Sequence, residues 1–430
     1  MSIANPPPRS VRAPNHLVAS ADHVATSAGV EMFARGGNAV DAAIATNAAM
    51  AVVGPHLCGL GGDLFALVHV DGEVYALNAS GRAGSGVSAR DLRDRGHTAM
   101  PQRHHVESVT VPGCVDGWIA LHERFATLPM EVLLAPAERL AANGFLASAP
   151  LAAMVGHLDE RSRLELRELA EQITRRGDIV RRPGLALTLA GVAASGRAGF
   201  YQGPFGQGLQ ELGDGQFSDS DLAMVQADWV EPLSASAFGV DLHTIGPNSQ
   251  GYLTLGGALL ATDLDLPANP DDARWAHLLI ESAIAAGHDR PDVLHEDASG
   301  DQLLAEIATR VHEIDREHAT TDRRAPAADG DTTYLCTAGR TRDGQEMAVS
   351  LIQSNANGFG SHLVEPATGI NLHNRGLGFS LTAAHPAELA PGRRPPHTLS
   401  PAMASEDDGQ LAAVFGTMGG DAQPQILLQL

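Results

Sequence analysis

Lysine is absent from this 430-residue chain; every one of its 29 basic residues is arginine. A pyridoxal Schiff base needs a lysine amine and a P-loop needs its lysine on the phosphates, so both chemistries are excluded. Positive charge is scarce as well. Against 51 acidic residues the formal net charge is −22, which repels nucleic acids and anionic lipid surfaces. The three cysteines, Cys58, Cys114 and Cys336, form no CxxC pair and no zinc framework, and they read as small buried residues. None of the 19 histidines falls in an HExxH pattern, so no catalytic metal is expected, nor any cofactor. No apolar run approaches the ~18 residues that cross a bilayer. The Pro-rich start MSIANPPPRS lacks the apolar stretch of a signal peptide, and the chain reads as cytoplasmic.

What is present is ordinary globular material: 44% hydrophobic residues, enough for one large core or two smaller ones. Val24 to Val53 is small and apolar, broken by Gly36-Gly37-Asn38, and predicts two close-packed helices with Asn38 capping the second. LFALVHV and EVYALNA across Asp71-Gly72 predict a hairpin. Pro112 to Arg197 is mainly helical in pattern, including a charged surface helix in LDERSRLELRELAEQITRR, and Asp271 to Asp289 predicts an amphipathic helix. Residues 313–331 are polar and aperiodic and predict a mobile linker. Strands follow: TTYLCTA and MAVSLIQS about a turn at Arg342-Asp343-Gly344, then a further pair near LAAVFGT. Helices, a linker and then strands suggest an α+β layered domain.

A threonine that opens a strand directly after a polar linker has the geometry an N-terminal nucleophile requires. If the Asp331–Thr332 bond is cut, Thr332 gains an α-amine beside its own hydroxyl. That amine titrates near ~7.7–8.0, so at neutral pH part of it can take the hydroxyl proton. By position alone the signal is weak: a threonine after Asp in a Thr-rich strand is usually just a strand residue.

Longer stretches point further. VATSAGVEMFARGGNAVDAAIATNAAMAVVGPHLCGLGGDLFALV, SVTVPGCVDGW, GFYQGPFGQGLQEL, RWAHLLIESAIAAGHDR, GDTTYLCTAGRTRDGQEMAVSLIQSNANGFGSHLVEPATGINLHN, PPHTLSPAM and GTMGGDAQPQ resemble, in order, the motifs of the γ-glutamyltranspeptidase family. The resemblance implies an N-terminal-nucleophile αββα sandwich: two stacked sheets between helical layers. It implies a large segment 1–331 and a small segment 332–430, made by self-cleavage between Asp331 and Thr332 and remaining as two fragments of one chain. Thr332 would be the nucleophile, and Gly419-Gly420 would offer backbone N–H donors to the oxyanion. The Gly59-x-Gly61-Gly62 cluster, which precedes a strand rather than a helix, would lie near the site as closely approaching backbone. Where family members continue past the Gly-Gly motif, this chain stops at QILLQL, an apparent C-terminal truncation.

Departures from the family pattern bear on the substrate. Where an RExAP segment supplies an arginine to the donor's carboxylate, this chain has NASGRAG, with Ser80 at the equivalent place and Arg82 two residues on. The acidic pair that grips the donor's α-amine becomes HNRGLGF, which brings in Arg375; the seryl pair before Ser-Pro becomes His397-Thr398. An ammonium without its carboxylate is expensive to bury, and arginine offers a fork to carboxylates. The expectation is therefore a small amide with an anionic acyl group, held by Arg82 and Arg375, with water or an amine as acceptor. A true γ-glutamyl substrate, and a non-catalytic relative that fails to mature, are the alternatives. Ser350, Ser354 and Asn355 are candidates for the residue that holds the nucleophile's amine, an insertion near Asn355 to Gly358 having blurred the register.

Overall fold

The computed structural model describes residues 12–321, 331–341 and 344–430. The part of the expected linker at 322–330, and Arg342-Asp343 of the expected turn, lie outside the described residues.

The predicted helix pair is α1 (His23–Ala34) and α2 (Ala39–Val53). The Asn38 side chain caps α2 by accepting from the N–H groups of Val40 and Asp41, while Asp41 accepts from the Asn38 N–H. All fifteen residues of α2 are buried, as a helix apolar on every side must be. Further helices join this layer: α3 (Cys114–Phe125), α4 (Met130–Asn143) and α5 (Pro183–Ser195). The charged stretch at 158–176 is not one surface helix. It forms two short ones, Glu160–Glu165 and Arg167–Gln172, that break at Leu166, whose side chain turns inward.

Six strands make the first sheet: β1 (His16–Ser20), β2 (Asp63–Val70), β3 (Glu73–Ala79), β4 (Asp228–Val230), β7 (Asp331–Arg340) and β8 (Glu346–Ala356). Their spatial order is β1-β7-β8-β2-β3-β4, with antiparallel neighbours throughout. The second sheet has the order β10-β9-β6-β5, from β5 (Pro232–Ala237), β6 (Val240–Ile245), β9 (Ala402–Ser405) and β10 (Leu411–Phe415).

The period-two rule divides the core. Leu64, Ala66 and Val68 of β2, with Leu335, Val349 and Leu351, pack on α1, α2 and α3. Phe65, Leu67, Ala348 and Ile352 face the other way, onto Ile245, Leu399 and Met403 of the second sheet's layer. The outer face of that sheet, through Leu233, Ala235 and Leu242, is covered by α6 (Tyr252–Thr262), α7 (Ala273–Gly287) and α8 (Gly300–Ala308). Helix, sheet, sheet, helix: the architecture is the expected αββα sandwich. Tyr334 and Ala338 belong to the inter-sheet face of β7, so the same alternation turns Thr332 into the space between the sheets. Among the described residues, no helix is long and apolar enough to cross a membrane.

Candidate active site

The site forms where β7 begins and β8 ends. Thr333 pairs with Gln353, but the next pair is Asp331 with Ala356, so β8 carries one extra residue at Ser354-Asn355. This β-bulge, with Ala356 at φ 76°, re-aims Ser354 toward its neighbour strand. Beneath the bulge runs the Gly59-x-Gly61-Gly62 loop. A Cβ on Gly62 would stand 2.4 Å from the Ser354 carbonyl oxygen, so only glycine lets the two backbones approach.

Ser354 Oγ is a hub. It donates to the Asp331 carbonyl oxygen at 2.7 Å and accepts from the Ala356 N–H at 2.7 Å. Arg375 Nη2 reaches it at 3.2 Å, and the buried Thr332 hydroxyl stands 3.4 Å away. Arg375 lies on a 3-10 turn (Arg375–Gly378) and is 94% buried, with 6% exposure. Its Nη1 donates to Thr398 Oγ1 at 3.1 Å, and its buried Nε has no hydrogen-bond partner among the described residues. Burial lowers its pKa to about 10, which leaves it charged at neutral pH.

A cavity of about 660 Å³ opens in front of this guanidinium, with Thr398, Asn357, Gly420, Arg290 and Asp421 also on its wall. Asn357 is held by Asn374, which accepts from its N–H at 3.1 Å and donates to its Oδ1 at 2.9 Å. Arg290 and Asp421 face each other at 2.7 Å. Gly419 and Gly420 have φ of 154° and 55°, and the Gln250 amide holds the Gly420 carbonyl at 2.9 Å. Both φ values suit glycine, and the resulting turn leads into α9 (Gln423–Leu428).

Behind Arg375 is a fully buried anion, Asp63, the first residue of β2. Its Oδ1 accepts from the N–H groups of Gly81 and Gly113 at 2.9 and 3.2 Å; its Oδ2 has His397 Nε2 at 3.3 Å and His373 Nδ1 at 3.5 Å. Burial alone would raise the Asp63 pKa. His373, His397 and Arg375 outweigh it and hold the carboxyl near about 2. Burial, and then Arg375, push His397 down to about 3, and burial lowers His373 as well. At neutral pH the cluster is thus one carboxylate beneath one guanidinium, with two neutral imidazoles beside it.

Of the residues singled out from the sequence, Thr332, Ser354, Arg375, Thr398 and Gly420 come together, and Gly419 adjoins them. The others go elsewhere. Arg82 does not line the cavity: it faces Asp228 and Glu296 at 3.3 and 3.4 Å and donates to the Gly392 carbonyl. Ser350 shares the face of Ser354 but bonds the Tyr334 hydroxyl at 3.0 Å, four residues down the strand. Asn355 turns under the bulge to the Pro55 carbonyl. His397 is buried against Asp63 and edge-on to the Phe65 ring, off the cavity wall. Asp63, His373, Asn357, Arg290 and Asp421 were not picked out from the sequence. Only Asp63 carried a signal, as an acid opening a mostly apolar strand. Among the described residues, no group of three His, Cys, Asp or Glu could hold a metal.

Comparison with known proteins agrees with this fold. The family model for γ-glutamyltranspeptidase matches residues 25–430. The oxamate amidohydrolase proenzyme of Klebsiella pneumoniae is 36% identical, over 94% of this chain and 78% of its own length. The glutathione hydrolase-like YwrD proenzyme of Bacillus subtilis is 34% identical, over 97% and 81%. Among solved structures, a cephalosporin acylase from Bacillus halodurans superposes with a TM-score of 0.88 at 32% identity, covering 99% of this chain and 83% of that one. The chain belongs to the γ-glutamyltranspeptidase family, in its branch with acylases and amidohydrolases, and is an enzyme of the N-terminal-nucleophile hydrolase class.

Proposed function

We propose that the chain cuts itself between Asp331 and Thr332 and then hydrolyses a small amide whose acyl group carries a carboxylate. Thr332 Oγ attacks the amide carbon, and the new α-amine takes the hydroxyl proton. The nearby Arg375 charge favours the amine's neutral, proton-accepting form. The N–H groups of Gly419-Gly420 meet the oxyanion, donors that typically lower the barrier by ~2.7–4 kcal/mol each. The acyl-enzyme then passes to water or to an amine.

One observation carries the substrate class. The buried Arg375 fork has one arm next to the nucleophile, the other on Thr398, and a cavity in front of it. A buried guanidinium with an unpartnered N–H suits a carboxylate and penalises an ammonium. Arg82 has no part in this reading, since its charge is already matched by two acids. The relative named an oxamate amidohydrolase makes oxamate, a two-carbon amide with a carboxylate, the first compound to try.

A γ-glutamyl donor is the second reading. Its α-ammonium needs an acid, and the cavity wall carries two, Asp292 and Asp421, the latter held by Arg290 at 2.7 Å. Intact mass and denaturing electrophoresis, beside a Thr332→Ala control, test the nucleophile. Two fragments, the smaller starting at Thr332, with the control uncut, are expected. Ammonia release from oxamate, without p-nitroaniline release from γ-glutamyl-p-nitroanilide, is expected of the cut protein. The opposite pattern would overturn the anionic-acyl reading.

A further inference from the structure

The uncut chain has a hydroxyl already placed on the bond to be broken. Ser354 Oγ lies 2.7 Å from the carbonyl oxygen of Asp331, the oxygen of the peptide bond that precedes Thr332. A serine hydroxyl has one hydrogen and two lone pairs. Here both lone pairs face donors, the Ala356 N–H at 2.7 Å and the Arg375 Nη2 at 3.2 Å, so the hydrogen is left for Asp331. The Thr332 hydroxyl also donates to this Oγ, at the longer distance of 3.4 Å. The backbone bulge fixes this arrangement, since in an unbroken ladder Ser354 would sit opposite Thr332 with its side chain perpendicular to the sheet.

We propose that Ser354 is the oxyanion donor for the chain's own cleavage, and that Arg375 is a positioning residue that orients and polarises it. The proposal rests on Thr332 being the nucleophile. Thr332 Oγ adds to the Asp331 carbonyl carbon, and the π pair moves onto the oxygen, where the Ser354 O–H meets it. The C–N bond then breaks. The proton that left Oγ ends on the Thr332 nitrogen, and an ester now joins Asp331 to Thr332 Oγ. Water cleaves that ester, which gives an Asp331 carboxylate, restores the threonine hydroxyl and leaves its amine free. Gly419-Gly420 serve the later substrate; Ser354 serves the chain itself. Once Asp331 withdraws, Ser354 loses its acceptor, so cleavage unmasks its O–H beside the Arg375 fork.

The test follows intact mass against time for the full chain and its variants, each first checked for cooperative thermal unfolding. Ser354→Ala should slow cleavage by ~10²–10³-fold, the usual effect of removing one oxyanion donor. Ser354→Thr, which keeps the hydroxyl, should cut within about tenfold of the parent, and Ser354→Cys, a weaker donor, should fall between. Arg375→Gln should slow cleavage by about tenfold, acting through Ser354. Cleavage of Ser354→Ala at the parental rate, with Thr332→Ala uncut, would overturn this role and leave the nucleophile standing. Cleavage of Thr332→Ala would overturn the nucleophile itself. If Ser354→Ala does not fold, Ser354→Cys decides: parental speed overturns the proposal, and slowed cleavage restored in Ser354→Thr supports it.

Discussion

Along β2, β7 and β8, the middle of the sheet and its end are equally buried but built from opposite chemistry. In the middle, Phe65, Leu67, Ala348 and Ile352 meet Leu399 and Met403, apolar against apolar. A few residues away, Asp63, Thr332, Ser354, His373, Arg375 and His397 are at most 6% exposed. Apolar contacts are non-directional, and each fully buried side chain stabilises by roughly 1.5–3 kcal/mol regardless of its exact neighbours. The polar end is different in kind. Each group there is tolerable only while its partners stay in place, so the end of the sheet is specific where the middle is merely stable.

This contrast can be broken from either side. The largest effect should come from Arg375→Gln assayed on mature enzyme with an anionic amide. A loss of about 10²–10³ in kcat/KM is expected for a desolvated charge pair, with much less change for an uncharged amide. Equal losses on both would mean that Arg375 does not read the carboxylate. Next comes Asp63→Asn, which leaves the shape but strips the anion from beneath a buried guanidinium. A destabilisation of about 3–5 kcal/mol is expected in urea or thermal unfolding. Phe65→Leu, in the apolar middle, should cost less than that.

Acid sharpens the same comparison without mutation. Burial holds His56 and His362 near about 4, and His397 near about 3. Unfolded histidines take protons near ~6.5, so between there and pH 4 the unfolded chain binds protons that the folded chain refuses. Stability should therefore be full above about pH 6.5 and fall steadily as pH drops toward 4, read as a falling urea midpoint. Asp63, with its pKa depressed to about 2, adds its own loss only below about pH 4. The smallest effect belongs to Arg82→Gln: less than about 1 kcal/mol in stability, with kcat/KM unchanged.

Much of the frame was legible in advance because it rests on local rules. Asn38 before an alanine-rich run made a capped helix, and Asp71-Gly72 between apolar runs made a hairpin. Thr332 and Gly419-Gly420 came from motif order. What could not be read was which polar group meets which. Arg82 and Arg375 looked alike as carboxylate forks, yet Arg82's two acids lie 146 and 214 residues away in sequence. The choice among Ser350, Ser354 and Asn355 turned on a bulge, and one extra residue reverses the face of every side chain after it. The helix expected at 158–176 broke because Leu166 found a pocket in the core that no surface pattern announces.

The strand order has one more consequence. In the first sheet β7 and β8 lie between β1 and β2, and in the second β9 and β10 continue a ladder begun by β5 and β6. A cut before Thr332 would therefore leave two polypeptides woven through each other, with neither owning a complete sheet. Such a molecule is assembled once. Its folding is unimolecular, but after the cut any refolding would require two strangers to find each other and interleave, at a rate set by their dilution. The mature form would thus live by how slowly it comes apart, and its half-life rather than its equilibrium stability would measure its durability.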